Sequence, residues 1–107
     1  MSEPVAAYKA PAARHVTRLA LRSRFTAAEK VVLEIASLDN PAATMAQRQQ
    51  AAALRVYLAD VASALWIDLG RADTRAGVQA LEALGLLATG RAAQILDGAI
   101  ADGERPA

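Results

Sequence analysis

The sequence predicts an all-α protein: a small bundle of about four to five helices with one long central helix, an extended N-terminal arm and a short C-terminal tail. Three observations point there. Apolar residues recur at spacings of three and four through most of the chain. Two capping-box signals, Thr26 with Glu29 and Thr44 with Gln47, stand immediately before such windows. Alanine and leucine, both strong helix formers, supply 28 and 13 of the 107 residues. Residues 1–13 form the arm, 14–98 a single helical domain, and 99–107 the tail.

The arm holds Pro4 and Pro11 and shows no helical period, so it is expected to be disordered until laid on a neighbour, with Val5 and Tyr8 as its anchors. The stretch from His15 to Phe25 reads two ways. Arg14, Arg18 and Arg22 step by four along one helix face, yet their even numbers also align them on one side of a strand. A short helix over Thr17–Arg24 is the better reading, because no neighbouring segment offers a strand partner. Thr26 caps the next helix, in which Ala28, Val31, Val32, Ile35 and Leu38 make one apolar stripe directed at the core. Pro41 then biases Asn40 away from helical angles and ends it.

Thr44 caps a long helix spanning roughly Met45 to Trp66, with Leu54, Tyr57, Leu58, Val61 and Leu65 facing the core and Tyr57 and Trp66 on opposite sides. Ile67 to Gly70 leaves that helix. Asp73 or Thr74 caps another, with Val78, Leu81 and Leu84 as its stripe and Gly85 as its left-handed stop. Thr89 caps a last short helix over Arg91–Asp97, which Gly98 terminates.

Composition narrows the function. The absence of cysteine removes disulfides, thiolate metal sites and cysteine nucleophiles, and a single histidine cannot build a histidine-rich metal site in one chain. No basic segment followed by an apolar run marks a secretory signal, and no apolar run approaches the roughly 20 residues of a spanning helix. The expectation is a soluble protein made in a cytoplasm, with no membrane partner. Charge is polarised: residues 1–30 carry +4 and residues 31–107 carry −3. Such asymmetry suggests nucleic acid contact or head-to-tail pairing between chains, beside the plainer reading of a solvated basic face.

Candidate chemistry falls away on inspection. The Gly85–Gly90–Arg91 spacing imitates a phosphate loop, but arginine stands where lysine is needed, Ala92 where a hydroxyl is needed, and a helix precedes it. His15 and Ser23 have no evident orienting carboxylate, so they do not make a triad and His15 reads as a solvated surface residue. Asp68 and Asp73 are too sparse for a calcium loop and read as cap and turn residues. No catalytic residue, cofactor or metal site is predicted, and an enzyme is not expected. An alternative reading takes Thr74 to Leu87 as the recognition helix and exit of a winged-helix domain, with Thr74, Arg75 and Gln79 at base edges. Arg75 is the only basic residue in that helix, and the following Arg91–Leu96 segment favours helix over a β-hairpin wing, so nucleic acid is not the expected partner.

Two blocks carry a family resemblance. Arg24-Phe25-Thr26-Ala27-Ala28-Glu29-Lys30 opens the first helix window. The second runs from Ile67-Asp68-Leu69 through Asp73-Thr74-Arg75-Ala76-Gly77-Val78-Gln79-Ala80-Leu81 and Gly85-Leu86-Leu87 to Gly90-Arg91-Ala92-Ala93-Gln94-Ile95-Leu96. Together, over roughly Leu19 to Asp97, the chain resembles short proteins of about a hundred residues from the tail-gene region of tailed bacteriophages and prophages. The resemblance implies a virion role near the baseplate or tail fibres, with other tail proteins, and copies of the chain itself, as partners; it supplies no catalytic residues. The resulting expectation is a tail-associated structural adaptor, made in the bacterial host cytoplasm and located in the virion tail, with Tyr8, Arg14, Arg18, Arg22 and Trp66 as contacts. An assembly chaperone absent from the finished particle is the alternative within the same context.

Overall fold

The computed structural model describes residues 14–106, so the expected arm over 1–13, with its anchor Tyr8, lies outside the described residues. Among the described residues the protein is an all-α bundle of five helices with one short two-stranded ladder. Strand β1 (His15–Val16) pairs antiparallel with β2 (Ile67–Asp68), setting His15 opposite Asp68 and Val16 opposite Ile67. One further bond, Leu69 N–H to the Arg14 carbonyl at 3.0 Å, extends the ladder. The expectation that this stretch has no strand partner is thereby corrected. The partner lies far along the chain and is only two residues long, too short to show an alternating pattern.

Helix α1 (Arg18–Ser23) begins at Thr17, whose hydroxyl accepts from the Ala20 amide at 3.0 Å. Because Arg14 precedes β1, only Arg18 and Arg22 share a helix face; the three-arginine row is corrected to two. Helix α2 (Ala27–Ala36) has the expected capping box, with Glu29 accepting from the Thr26 amide at 2.7 Å and Thr26 accepting from the Glu29 amide at 3.1 Å. Its expected inward stripe is the main correction. Val31, Val32, Ile35 and Leu38 are 57%, 41%, 64% and 65% exposed, whereas Leu33 is buried. The inward row is Glu29, Leu33 and Ser37, spaced by four. Three attachments hold it there: Glu29 pairs with Arg91, Leu33 enters the core, and the carbonyl of buried Ser37 accepts from Arg55 at 2.6 Å.

Helix α3 (Met45–Ser63) starts at Thr44 with its capping box intact. Its buried side chains are Ala51 and Leu54, with Leu58 and Val61 packed at the core margin. The helix stops at Ser63 instead of continuing to Trp66, and Leu65, expected inside, is exposed. Burial of Ile67 and Leu69 explains the early stop: both are drawn into the core by the ladder, so the chain must extend from Ala64. Arg18 closes the helix end by donating to the Ala62 carbonyl. Two arginines of α3 also hold the α2–α3 corner, Arg55 as above and Arg48 through a two-point fork on Asp39 at 2.8 Å.

Helix α4 (Ala72–Ala83) buries Val78 and Leu81 as expected, but Leu84 is largely exposed. Neither Asp73 nor Thr74 is the N-cap; Arg71 occupies that position and Asp73 sits in the first turn, ion-paired with Arg71 at 2.8 Å. The helix ends in a Schellman arrangement: Leu86 N–H reaches the Leu81 carbonyl, Gly85 N–H reaches the Glu82 carbonyl, both at 2.9 Å, and Gly85 is left-handed at φ 79°. Helix α5 (Arg91–Asp97) is preceded by left-handed Gly90, so Thr89 is not its cap. Glu82 of α4 supplies the cap instead, accepting from the Ala92 amide at 2.9 Å.

The segment after Gly98 is docked. Ile100 packs on the core, and a 3₁₀ turn over Asp102–Glu104 places the Glu104 carbonyl 2.8 Å from the Thr17 amide. Arg24 spends every direction of its guanidinium on this end of the chain. It forks onto Glu104 at 2.9 and 3.0 Å and donates to the carbonyls of Ile95, Gly98 and Ala99. Arg91 makes the second fork, onto Glu29 at 2.7 and 2.8 Å, and also donates to the Arg24 carbonyl at 3.0 Å. The hydrophobic centre beneath them is Val16, Leu21, Leu69, Val78, Leu81, Ile95 and Leu96.

Two predictions follow from this packing. Gly77 lies in α4 where an added Cβ would stand 2.2 Å from Cε1 of Tyr57, so the tyrosine ring rests on the helix backbone. Gly77→Ala gains roughly 1 kcal/mol of helix propensity, yet should destabilise the protein by about 1–3 kcal/mol through overpacking, as measured by urea unfolding. The Arg91 fork holds the Glu29 carboxyl down at about 2, against an ordinary 4.5. A depressed carboxylate adds stability above its unfolded value and loses it as pH falls through the folded one. Thermal melts should therefore fall between pH 4.5 and about 2, and Glu29→Gln should flatten that part of the profile.

Candidate protein-docking surface

A groove of about 190 Å³ opens between α1, α2 and α3. Its floor is apolar, built from Leu21, Phe25, Leu33, Leu58, Val61 and Leu81, and its rim carries Arg18, Arg22, Lys30 and Glu34. Three of four rim charges are positive. Local sequence sets this geometry: Thr17 starts α1 so that Leu21 points inward while Arg18 and Arg22, one turn apart, stand at the groove edge. Phe25, just before the Thr26 cap, fills the corner between α1 and α2.

The expected contact residues divide by what already holds them. Arg14 donates to the Leu96 carbonyl and Arg18 to the Ala62 carbonyl, so both fasten the fold. Arg22 is exposed and is engaged by no other charged side chain among the described residues. Trp66 lies beyond the groove, 47% exposed, and stacks on His15 with ring centroids 5.6 Å apart. His15 is accordingly not the freely solvated residue expected. Its Nε2 stands 3.6 Å from the Asp68 carboxylate, the orienting group that was not evident from the chain. Ser23 is turned away to the Leu19 carbonyl.

A second concavity, about 310 Å³, is lined by Tyr57, Asp60, Trp66, Asp68, Arg71 and Asp73, with Thr74 beside them. Burial, with a smaller contribution from Asp73, pushes the Tyr57 hydroxyl up to about 12, so it stays protonated. Among the described residues no three His, Cys, Asp or Glu side chains come together to hold a metal. The residues named for DNA contact are partly committed elsewhere. Arg75 pairs with Asp97 at 2.9 Å and donates to the Leu69 carbonyl, Thr74 lends its carbonyl to Tyr57, and Gln79 is exposed. Helix α5, not a hairpin, follows α4. No helix among the described residues is long and apolar enough to cross a membrane.

No family model matches the chain, and neither a curated protein nor a solved structure matches it.

The residue that sequence reasoning missed as a structural element is Arg24. Nothing in its local spacing separates it from Arg22, yet its side chain is 10% exposed and fully bonded. The two arginines should behave oppositely on replacement. Arg22→Glu should change stability by less than about 0.5 kcal/mol, whereas Arg24→Ala should cost about 2 kcal/mol or more by leaving Glu104 and three carbonyls short of a donor. Chemical denaturation of the two variants checks the contrast.

Proposed function

We propose that this chain is a structural adaptor of a bacteriophage tail, which grips an acidic, amphipathic segment of another tail protein in the α1–α2–α3 groove. The observation that carries the reading is the groove itself: an open apolar floor beneath a rim of Arg18, Arg22 and Lys30. An amphipathic helix laid there would bury its apolar side on Leu21, Phe25, Leu58 and Val61 and set its carboxylates against the arginines. The tail context is supported by the resemblance of residues 19–97 to short proteins of the tail-gene region, with the partners near the baseplate or fibres. Binding does the work in this reading and no bond is made or broken.

The test is incorporation and partner capture. Purified particles should contain the wild-type chain by mass spectrometry, and Arg22→Glu should reduce its incorporation at least tenfold while leaving its melting curve unchanged. Presence of the chain with partners during assembly but not in finished particles would replace the structural role by that of an assembly chaperone. Full incorporation of the charge-reversed variant would reject the groove.

A further inference from the structure

We infer that the outward face of α2 is a self-association surface, on which a second copy of this chain docks as a two-fold antiparallel helix pair. The starting observation is an amphipathic helix mounted with its apolar side outward. Val31 and Ile35 of α2, with Leu38 just past its C-cap Ser37, are spaced by four and three and form an exposed apolar row about two turns long, and Ala27 and Ala28, also exposed, continue it at the N-terminal end. A contiguous apolar stripe of this kind, edged by charge, marks a contact surface.

The order of residue sizes along the stripe selects the occupant. Turning a second α2 antiparallel about a two-fold axis near the level of residue 33 sets Val31 against Ile35 of the partner subunit and Ile35 against Val31 of the partner subunit. The same operation sets Leu38 over Ala28 of the partner subunit, where the small side chain leaves room for the large one. A parallel pair would put leucine on leucine at one end and alanine on alanine at the other, crowding the first and leaving a gap at the second. Charge selects the same orientation. Lys30 and Glu34 lie one turn apart along the groove-side edge of the stripe, and neither engages another charged side chain among the described residues. In an antiparallel two-fold pair like edges face each other, so Lys30 meets Glu34 of the partner subunit, twice; in a parallel two-fold pair this edge would face the opposite edge of the partner subunit, where Val32 stands, and the charge pairing would be lost.

The stripe is a single helix wide, smaller than the ~800 Å² per partner of a standard stable interface. The pair therefore forms in the micromolar range and exchanges, which suits a component that assembles at high local concentration.

Sedimentation of the purified chain, with no tail protein present, reads this directly. The wild type should pass from monomer to dimer across the micromolar range. Ile35→Asp, at an exposed position, should be a folded monomer. Lys30→Glu and Glu34→Lys should each weaken the dimer at least tenfold, and the double exchange should restore it. A wild type that stays monomeric to high-micromolar concentration, or a double exchange no better than the singles, overturns the pair. Since the readout is self-association alone, that failure would leave the groove and its tail partner untouched, and the particle test would leave this one untouched.

Discussion

The rest of the structure depends on the double arginine clamp at the α1–α2 corner. A chain in which alanine is the commonest residue has helices that approach closely but bury little area each, and each CH₂ buried contributes only about 0.8 kcal/mol. Helix α5 is seven residues long and would not persist by itself. Arg91 fastens its start to Glu29, and Arg24 fastens its end and the following turn through Glu104 and three carbonyls. The two forks also meet, because Arg91 donates to the carbonyl of Arg24. Charge-assisted, two-point bonds of low exposure supply here the directional hold that a thin aliphatic core does not.

The clamp has a consequence for surface chemistry. By pulling Glu29 inward it sets the rotation of α2, and the row spaced by four from Glu29 follows it: Leu33 into the core, Ser37 onto Arg55. The more hydrophobic side of the same helix is left facing out. Elsewhere the rule that the apolar face goes inside holds, as it does for Val78 and Leu81 in α4 and for Ile95 and Leu96 in α5. Helix α2 breaks it because an ion pair, a core leucine and a carbonyl–arginine bond together outweigh burial of Val31, Val32, Ile35 and Leu38.

The adaptor reading and the self-association reading use neighbouring but different sides of α2. One uses the groove-facing side, where Leu33 forms part of an apolar floor; the other uses the outward stripe. Lys30 and Glu34 stand on the ridge between them. The acidic concavity around Asp60, Asp68 and Asp73 adjoins the groove across Tyr57 and Val61, which line both, and holds Trp66, which stacks on His15.

By itself the sequence determined what is local. Both threonine capping boxes, the start of α2, the bounds of α5, the Gly85 stop and the all-helical class were legible because each depends on residues within one or two turns, whereas α2 ends at Ala36, earlier than Pro41 suggested. The groove was half legible: Arg18 and Arg22 were readable as one helix face, while its floor, drawn from four separate helices, was not. Tertiary structure alone decided the rest. The ladder joining Val16 to Ile67, the early end of α3 before Trp66, the cap that Glu82 lends to Ala92, and the separation of half-buried, fully bonded Arg24 from free Arg22 all rest on partners far apart in the chain. So does the turning of α2, since an apolar period states that a helix has two unlike faces, whereas which face goes inward is settled by the strongest contacts its neighbours offer.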